Sequence, residues 1–337
     1  MCTAVSFRPK DHYFGRNLDL ERSYGEKVII TPRHYPFHFR NGHNISSHYA
    51  IIGIATSADN YPLYYEASNE AGLSMAGLNF PDNAYYFPKQ EGKDNISPFE
   101  LIPWLLCRCK TICHARQILS TLNLWGESFS SAFPLSPLHW LLADRNSALT
   151  IECTREGLRL YDNAVGVLTN NPPFPYHLHN LTNYMTLSSK TPTNNQPITL
   201  EPYSLGMGSF GLPGDMSSGS RFVKAAFTKF HSKCSIDETS SVNQFFYILD
   251  SVRQPKGMTQ LKSGEYEYTR YSSCYNTDKG ILYYTTYDNR TIMSVNMHFE
   301  NLEAGELISY PIIDRSSPIL QNKNGNISPT HGRNLDL

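Results

Sequence analysis

The chain has 337 residues, 29 Lys+Arg against 30 Asp+Glu for a net charge of −1, and 40% hydrophobic and 12% aromatic residues. That aromatic content excludes a disordered chain. The 21 Gly and 21 Pro exclude collagen-like and low-complexity classes, and balanced charge without a basic stripe argues against a nucleic-acid partner. In chain order, Cys2 to Phe7 and His12 to Leu18 read as a hairpin closed by the turn residues Arg8-Pro9-Lys10-Asp11. Strands follow at Lys27 to Thr31, Tyr49 to Ala55, Leu63 to Ala67 and Leu73 to Leu78, and the last pair form a second hairpin that delivers Asn79 at a strand end. Ser97-Pro98-Phe99-Glu100 is a capping box with Pro at the first helical position, and Pro103 is expected to kink or interrupt the helix it opens. A second helix is predicted over Thr111 to Leu122. Strands return at Leu138 to Ala143, Ala148 to Cys153, Gly157 to Tyr161 and Val165 to Thr169. Amphipathic helices are predicted at Ser218 to Phe230 and Asp237 to Val252, and closing strands at Tyr266 to Cys274, Ile281 to Tyr287 and Thr291 to Met297. Blocks of strands and helices in this order indicate an α+β fold. Length admits two domains, but no clean linker divides the chain, so one domain over 1–316 is expected, with an Asn/Ser/Pro-rich flexible tail over 317–337.

The apolar runs fall short of the ~18 residues that span a bilayer, so no membrane insertion is expected. No basic n-region with a following apolar run opens the chain, and the expected location is the cytoplasm. Seven unevenly spaced cysteines in such a chain read as reduced thiols. Gly206-Met207-Gly208-Ser209-Phe210-Gly211 fits the dinucleotide pattern, but Leu212-Pro213-Gly214-Asp215 follows it, so it reads as a structural loop. Cys107, Cys109, Cys113 and His114 resemble metal ligands on paper. On one helix Cys109 and Cys113 share a face while Cys107 and His114 share roughly the opposite one, so buried thiols are the better reading and no metal is expected. Gly15 to Leu20 recurs as Gly332 to Leu337; a single copy at a chain end is not a repeat architecture and reads as a cloning scar.

Cys2 stands apart from the other thiols. Once Met1 is removed, it carries a thiol and a free α-amine, whose reference pKa near about 8 lets it take a proton close to neutrality. One residue then supplies both nucleophile and base, as in N-terminal-nucleophile acyl transfer. The returning strand of the first hairpin brings Arg16 and Asp19 near its end. Arg16 would favour the thiolate and Asp19 would hold the amine; without Cys2 the two would read as a surface ion pair. Acyl transfer also needs oxyanion donors, for which Asn79 and Asn171 are the candidates.

These residues resemble the choloylglycine hydrolase family of bile salt hydrolases and penicillin V acylases. The matching segments include MCTAV at the N-terminus, FGRNLDLE at 14–21, NEAGLSMAGLNFP at 69–81, PLSPLHWLLAD at 134–144, GVLTNNPPF at 166–174 and GLPGDMSSGSRFVKAAFTK at 211–229, and the likeness runs from Cys2 to about residue 313. The resemblance implies a four-layer αββα sandwich of the N-terminal-nucleophile hydrolase type, a homotetramer, and hydrolysis of the amide bond that joins a bile acid to glycine or taurine. It implies Cys2 as nucleophile, Arg16 and Asp19 from the RNLD motif, Asn79 after the GL dipeptide, Asn171 as the second asparagine of TNNP, and Arg221 of the SRF motif as catalytic residues. Leu18 matches a pocket position. Asn79, where penicillin V acylases tend to carry Tyr, favours bile salts, and penicillin V is the alternative substrate. A bulky amphipathic steroid suits an apolar, aromatic-lined wall, for which the loop from Trp125 to Phe133, with Phe129 and Phe133, is the candidate. No cofactor is needed. The alternative of another class is a non-catalytic steroid-binding protein.

Overall fold

The computed structural model describes residues 1–318 and 320. The second GRNLDL copy and most of the expected C-terminal tail lie outside the described residues. In chain order the elements are β1 (Cys2–Phe7), β2 (Tyr13–Leu20), β3 (Lys27–Thr31), β4 (Phe37–His38), β5 (Asn44–Ile45), β6 (Ile51–Ala58), β7 (Tyr61–Asn69), β8 (Ser74–Asn79) and β9 (Asp94–Ile96). Then come α1 (Leu101–Leu106), α2 (Ile112–Thr121), β10 (Leu122–Leu124), β11 (Leu138–Ala143), β12 (Ala148–Thr154), β13 (Gly157–Asp162), β14 (Val167–Leu168), α3 (Phe174–Leu181), α4 (Ser218–His231) and α5 (Glu238–Asp250). The chain closes with β15 (Thr259–Gln260), β16 (Tyr266–Asn276), β17 (Ile281–Thr286), β18 (Met293–Asn296) and β19 (Ile308–Pro311).

Two antiparallel sheets carry the fold. The first runs in the order β14-β1-β2-β16-β17-β18, and the second in the order β13-β12-β11-β8-β7-β6-β3-β19. Period-2 alternation gives every central strand two buried faces. In the second sheet Val28, Ile30, Ile52, Ile54, Ala76, Leu78 and Leu141 face the first sheet. Their neighbours Ile29, Ile51, Met75, Trp140 and Leu142 face the other way, onto Leu101, Trp104 and Leu105 of α1. The first sheet is covered on its outer side by α4 and α5, through Phe222, Ala226, Phe245 and Leu249. The layers are therefore helix, sheet, sheet, helix, as expected from the resemblance.

Local chemistry sets the element ends. Ser217 and Asp237 cap α4 and α5 by accepting from the N–H groups of Ser220 and Ser240, and Thr111 caps α2. The Glu100 carboxylate accepts from Ser97 N–H at 2.9 Å. Pro103 does not break α1. It lies in the first turn, where its missing N–H has no helical partner to lose, and the helix ends instead at Cys107. The four thiols on Cys107, Cys109, Cys153 and Cys274 are buried as expected, but Cys113 is exposed, because α2 restarts at Ile112 and turns that residue to solvent. The 206–211 segment is a loop with a single 3-10 turn at Met207–Ser209.

Candidate active site

The first hairpin builds the site. The β1–β2 register sets Cys2 opposite Leu18 and Ala4 opposite Arg16. Cys2, Leu18 and Arg16 thus share one face of the first sheet. That face looks onto the second sheet, because Arg16 Nη1 donates to the carbonyls of Tyr65 and Gly77. Asp19 has the opposite parity and turns to the α5 side, where its carboxylate accepts from Thr269 Oγ1 at 2.7 Å and Gln254 Nε2 at 3.0 Å. Arg16 and Asp19 are both fully buried and do not pair with each other, so the surface ion-pair reading is excluded.

Arg16 pairs instead with Glu66 on β7, at 3.8 Å. Tyr271 donates its hydroxyl to the same carboxylate at 2.9 Å. Burial pushes the Glu66 carboxyl up to about 7, against the pull of Arg16 and of the hydrogen bonds it accepts. Burial also works against the charge of Arg16, yet the anionic forms of Cys2, Glu66, Tyr271 and Asp19 outweigh it and hold the guanidinium proton more tightly than usual. Arg16 is therefore a permanent cation beside the Cys2 thiol, with Nη2 free of partners among the described residues.

A second arginine holds the backbone of Cys2. Arg221, on the first turn of α4, donates through Nη1 to the Cys2 carbonyl and to Thr3 Oγ1, and through Nη2 to Asn170 Oδ1 at 2.7 Å. Burial lowers its affinity for a proton, and nearby Asp19 and Cys2 oppose that effect. Asn170 Oδ1 also accepts from the Cys2 N–H at 2.9 Å, and Asn170 Nδ2 donates to the Asn79 carbonyl at 2.7 Å. Asn170 is the hub that sequence reasoning missed. Asn171, the expected residue, sits one step further out and donates Nδ2 to the Pro81 carbonyl. Glu267 was missed too. The Met1 ammonium donates to its carboxylate at 2.8 Å and to the Asp19 carbonyl at 3.0 Å.

Asn79 ends β8 and is exposed beside this hub. Leu18 is buried opposite Cys2. Phe129 and Phe133 are not brought onto Cys2. The Phe129 ring packs against Tyr61, Phe99 and Phe133 under the Arg40 guanidinium. It lines a cavity of about 400 Å³ with Tyr35, His38 and Glu100. This cavity flanks the helix-covered side of the second sheet, away from the inter-sheet face that carries the thiol.

The arrangement gathers a thiol, a fixed cation on the thiol's face, a carboxylate on the opposite face and amide groups around the Cys2 nitrogen. That set suffices for attack on an acyl carbon by Cys2 Sγ, provided the Cys2 nitrogen becomes an amine. Among the described residues no cluster of metal-ligating side chains is found, and no helix is long and apolar enough to cross a membrane.

Comparison with known proteins agrees with this chemistry. Residues 2–310 match the model of the linear amide C–N hydrolases, choloylglycine hydrolase family. A bile salt hydrolase/transferase of Lactiplantibacillus plantarum is 54% identical, over 93% of this chain and 97% of its own length. A crystal structure of a mutant conjugated bile acid hydrolase from Clostridium perfringens superposes with a TM-score of 0.88 at 33% identity, covering 96% of this chain and all of its own. Penicillin V acylase from Agrobacterium tumefaciens shares the fold, with a TM-score of 0.73 at 18% identity over 92% of this chain and 90% of its own.

Proposed function

Because the chain belongs to the choloylglycine hydrolase family of linear amide C–N hydrolases, we propose that it cleaves the amide bond of glycine- or taurine-conjugated bile salts. The observation that carries this reading is the placement of Cys2: its thiol shares a face with Arg16 while its nitrogen meets Asn170 Oδ1 at 2.9 Å. Removal of Met1 frees that nitrogen as an α-amine and leaves the Glu267 carboxylate without its ammonium partner.

The chemistry then balances. The Cys2 amine takes the thiol proton as Sγ bonds to the amide carbon, with Arg16 favouring the thiolate. Asn79 and Asn171 stabilise the oxyanion, Asn171 exchanging its bond to Pro81 for one to the substrate. Asp19 and Arg221 hold the Cys2 backbone and its ammonium. The ammonium returns the proton to the leaving nitrogen, glycine or taurine departs, and a thioester remains on Sγ. Water, deprotonated by the same amine, adds to the thioester and releases the free bile acid and the thiol. Leu18 forms part of the wall for the steroid, and Phe129 and Phe133 contribute only if the 125–133 loop moves toward Cys2.

Assembly as a homotetramer goes with this reading. Its support is an irregular stretch with apolar residues turned to solvent, in which Met185 is 81%, Leu205 92% and Phe210 81% exposed. Sedimentation of the protein and of Leu205→Asp checks it; a monomer for both would rule out assembly. A cytoplasmic location is tested by fractionation of the producing cells.

The decisive experiment incubates the protein, its N-terminal mass verified, with glycocholate, taurocholate and penicillin V separately, alongside Cys2→Ala. Release of glycine or taurine that Cys2→Ala abolishes is the expected result. Release from penicillin V alone would transfer the activity to the acylase reaction. Bile salt bound but never cleaved, with Met1 absent, would leave a steroid-binding protein.

A further inference from the structure

Two buried titratable side chains that the mechanism does not use lie directly beneath the asparagine loop. The β11–β12 register pairs Trp140 with Ile151, and its next step sets His139 against Glu152. Both side chains are fully buried between the sheets. His139 Nδ1 lies 3.0 Å from Glu152 Oε1, and His139 Nε2 lies 2.9 Å from the carbonyl of Thr169. Glu152 Oε1 also accepts from the N–H of Phe174 at 2.9 Å. The pair thus grips both ends of the Thr169–Phe174 segment, whose interior holds Asn170 and Asn171. The His139 ring also stacks on Phe80, the residue after Asn79, with centroids 4.2 Å apart and planes at 7°.

The hydrogen count at His139 is informative. A carbonyl only accepts, so Nε2 carries a hydrogen. Glu152 Oε1 already accepts from Phe174 N–H, and Glu152 Oε2 has no partner among the described residues. One hydrogen also lies between Nδ1 and Oε1, carried by the ring in an ion pair or by the carboxyl in a neutral pair. A buried carboxylate with one unpartnered oxygen is costly unless a charge lies beside it, and His139 is the group placed to supply one. His177 adds a second clamp, with Nε2 donating to the Asn170 carbonyl at 2.9 Å.

We propose that His139 and Glu152 form an ion-paired positioning unit that fixes Asn170 against the Cys2 nitrogen and Asn171 and Asn79 against the oxyanion. Neither residue touches the substrate. The proposal rests on the function stated above, because it assigns the 169–174 segment a part in that reaction. A loop pinned at both ends by hydrogen bonds to charged groups costs little reorganisation when the oxyanion forms. A displacement of about 1 Å there costs on the order of 10²-fold in rate.

The test measures glycocholate hydrolysis per reactive Cys2, counted by iodoacetamide labelling read on the N-terminal peptide because Cys113 and Cys234 also meet solvent, so that loss of folded protein does not register as loss of rate. His139→Gln keeps a donor for Thr169 but no ion pair, Glu152→Gln removes the charge, and the double variant joins two neutral amides. The expected result is a kcat per titrated site on the order of 10²-fold lower in each single variant, a KM within about twofold of wild type because the substrate contacts are intact, and a double variant no worse than either single one. Unchanged kcat per site, or a change confined to KM, would overturn the proposal while leaving the function in place. A wild type that releases no glycine would remove the function and the proposal together. If the variants do not fold, nitrogen-15 spectra of the wild-type imidazole decide: two protonated ring nitrogens on His139 support the ion pair, and one bare nitrogen refutes it.

Discussion

Arg16 and Glu66 put stability and the proposed chemistry on one buried ion pair. Arg16 faces Cys2, and Glu66 sits behind it with no exposure to solvent. Truncating one partner strands the other, which typically costs about 3–5 kcal/mol. Arg16→Met is therefore expected to lower stability by that order above pH 7, where Glu66 is ionised, and to slow alkylation of Cys2 through loss of the cation. Arg16→Met with Glu66→Gln should regain most of the stability and none of the reactivity. Denaturant unfolding and iodoacetamide kinetics check the two halves separately, and a double variant as unstable as Arg16→Met would refute the pairing. Asn170 and Asn171 separate in the same way. Asn170→Ala removes bonds to Cys2 N, Arg221 and Asn79 O, and it is expected to slow Cys2 alkylation as well as turnover. Asn171→Ala removes one bond to Pro81, and it is expected to cut turnover about 10²–10³-fold with alkylation unchanged, as loss of an oxyanion donor does. Equal effects on alkylation would show that the two asparagines act as one group.

Among the elements, β2 tolerates the least change. Gly15 precedes Arg16 and lies so close to the Ser273 carbonyl of β16 that a Cβ would overlap it. Gly15→Ala is expected to cost about 1–3 kcal/mol as an overpacked core does, and to reduce turnover by moving Arg16. Near wild-type stability by urea unfolding would show that β16 yields more readily than the packing suggests. The hairpin that carries Cys2 was legible because turn chemistry and alternation are local signals. Alternation also held a clue that the surface-pair reading passed over: Arg16 and Asp19 differ by an odd number of residues, so a strand sends them to opposite faces. The choice between Asn170 and Asn171 had no such clue. The strand ends at Leu168, and beyond it orientation is set by Ser218, His177 and Arg221, which are remote in sequence. Helix α3 was not foreseen, because Pro172, Pro173 and Pro175 break a helical pattern in sequence, whereas here Pro173 and Pro175 stand at its very start. Strand β19 was hidden by Pro311, which is tolerated because β19 is the edge of its sheet.

For the molecule as a whole, packing two sheets face to face between helices traps titratable groups of opposite charge response. His12 is held neutral, down to about 4, chiefly by burial, with Asp278 and Asp144 opposing that effect and Arg145 and Arg8 adding to it. Its folded-state pKa is depressed, so its contribution to stability is present above its ordinary 6.5 and is lost as pH falls toward 4. Glu66 has the opposite sign. Its folded-state pKa is raised, so its contribution is present below its ordinary 4.5 and is lost as pH rises through about 7. Between pH 4.5 and 6.5 the two slopes oppose each other, and wild-type stability is expected to vary little from these groups. Each substitution should unmask the other group. In His12→Asn, stability relative to wild type should be higher near pH 4.5 than near pH 7, giving a profile that falls across that window. In Glu66→Gln the profile should rise from pH 4 to 6.5 and then level. Urea midpoints at half-unit pH intervals measure both curves. Profiles that stay parallel to wild type in the two variants would mean that neither group titrates between the sheets, and that the flat stability of the molecule has another origin.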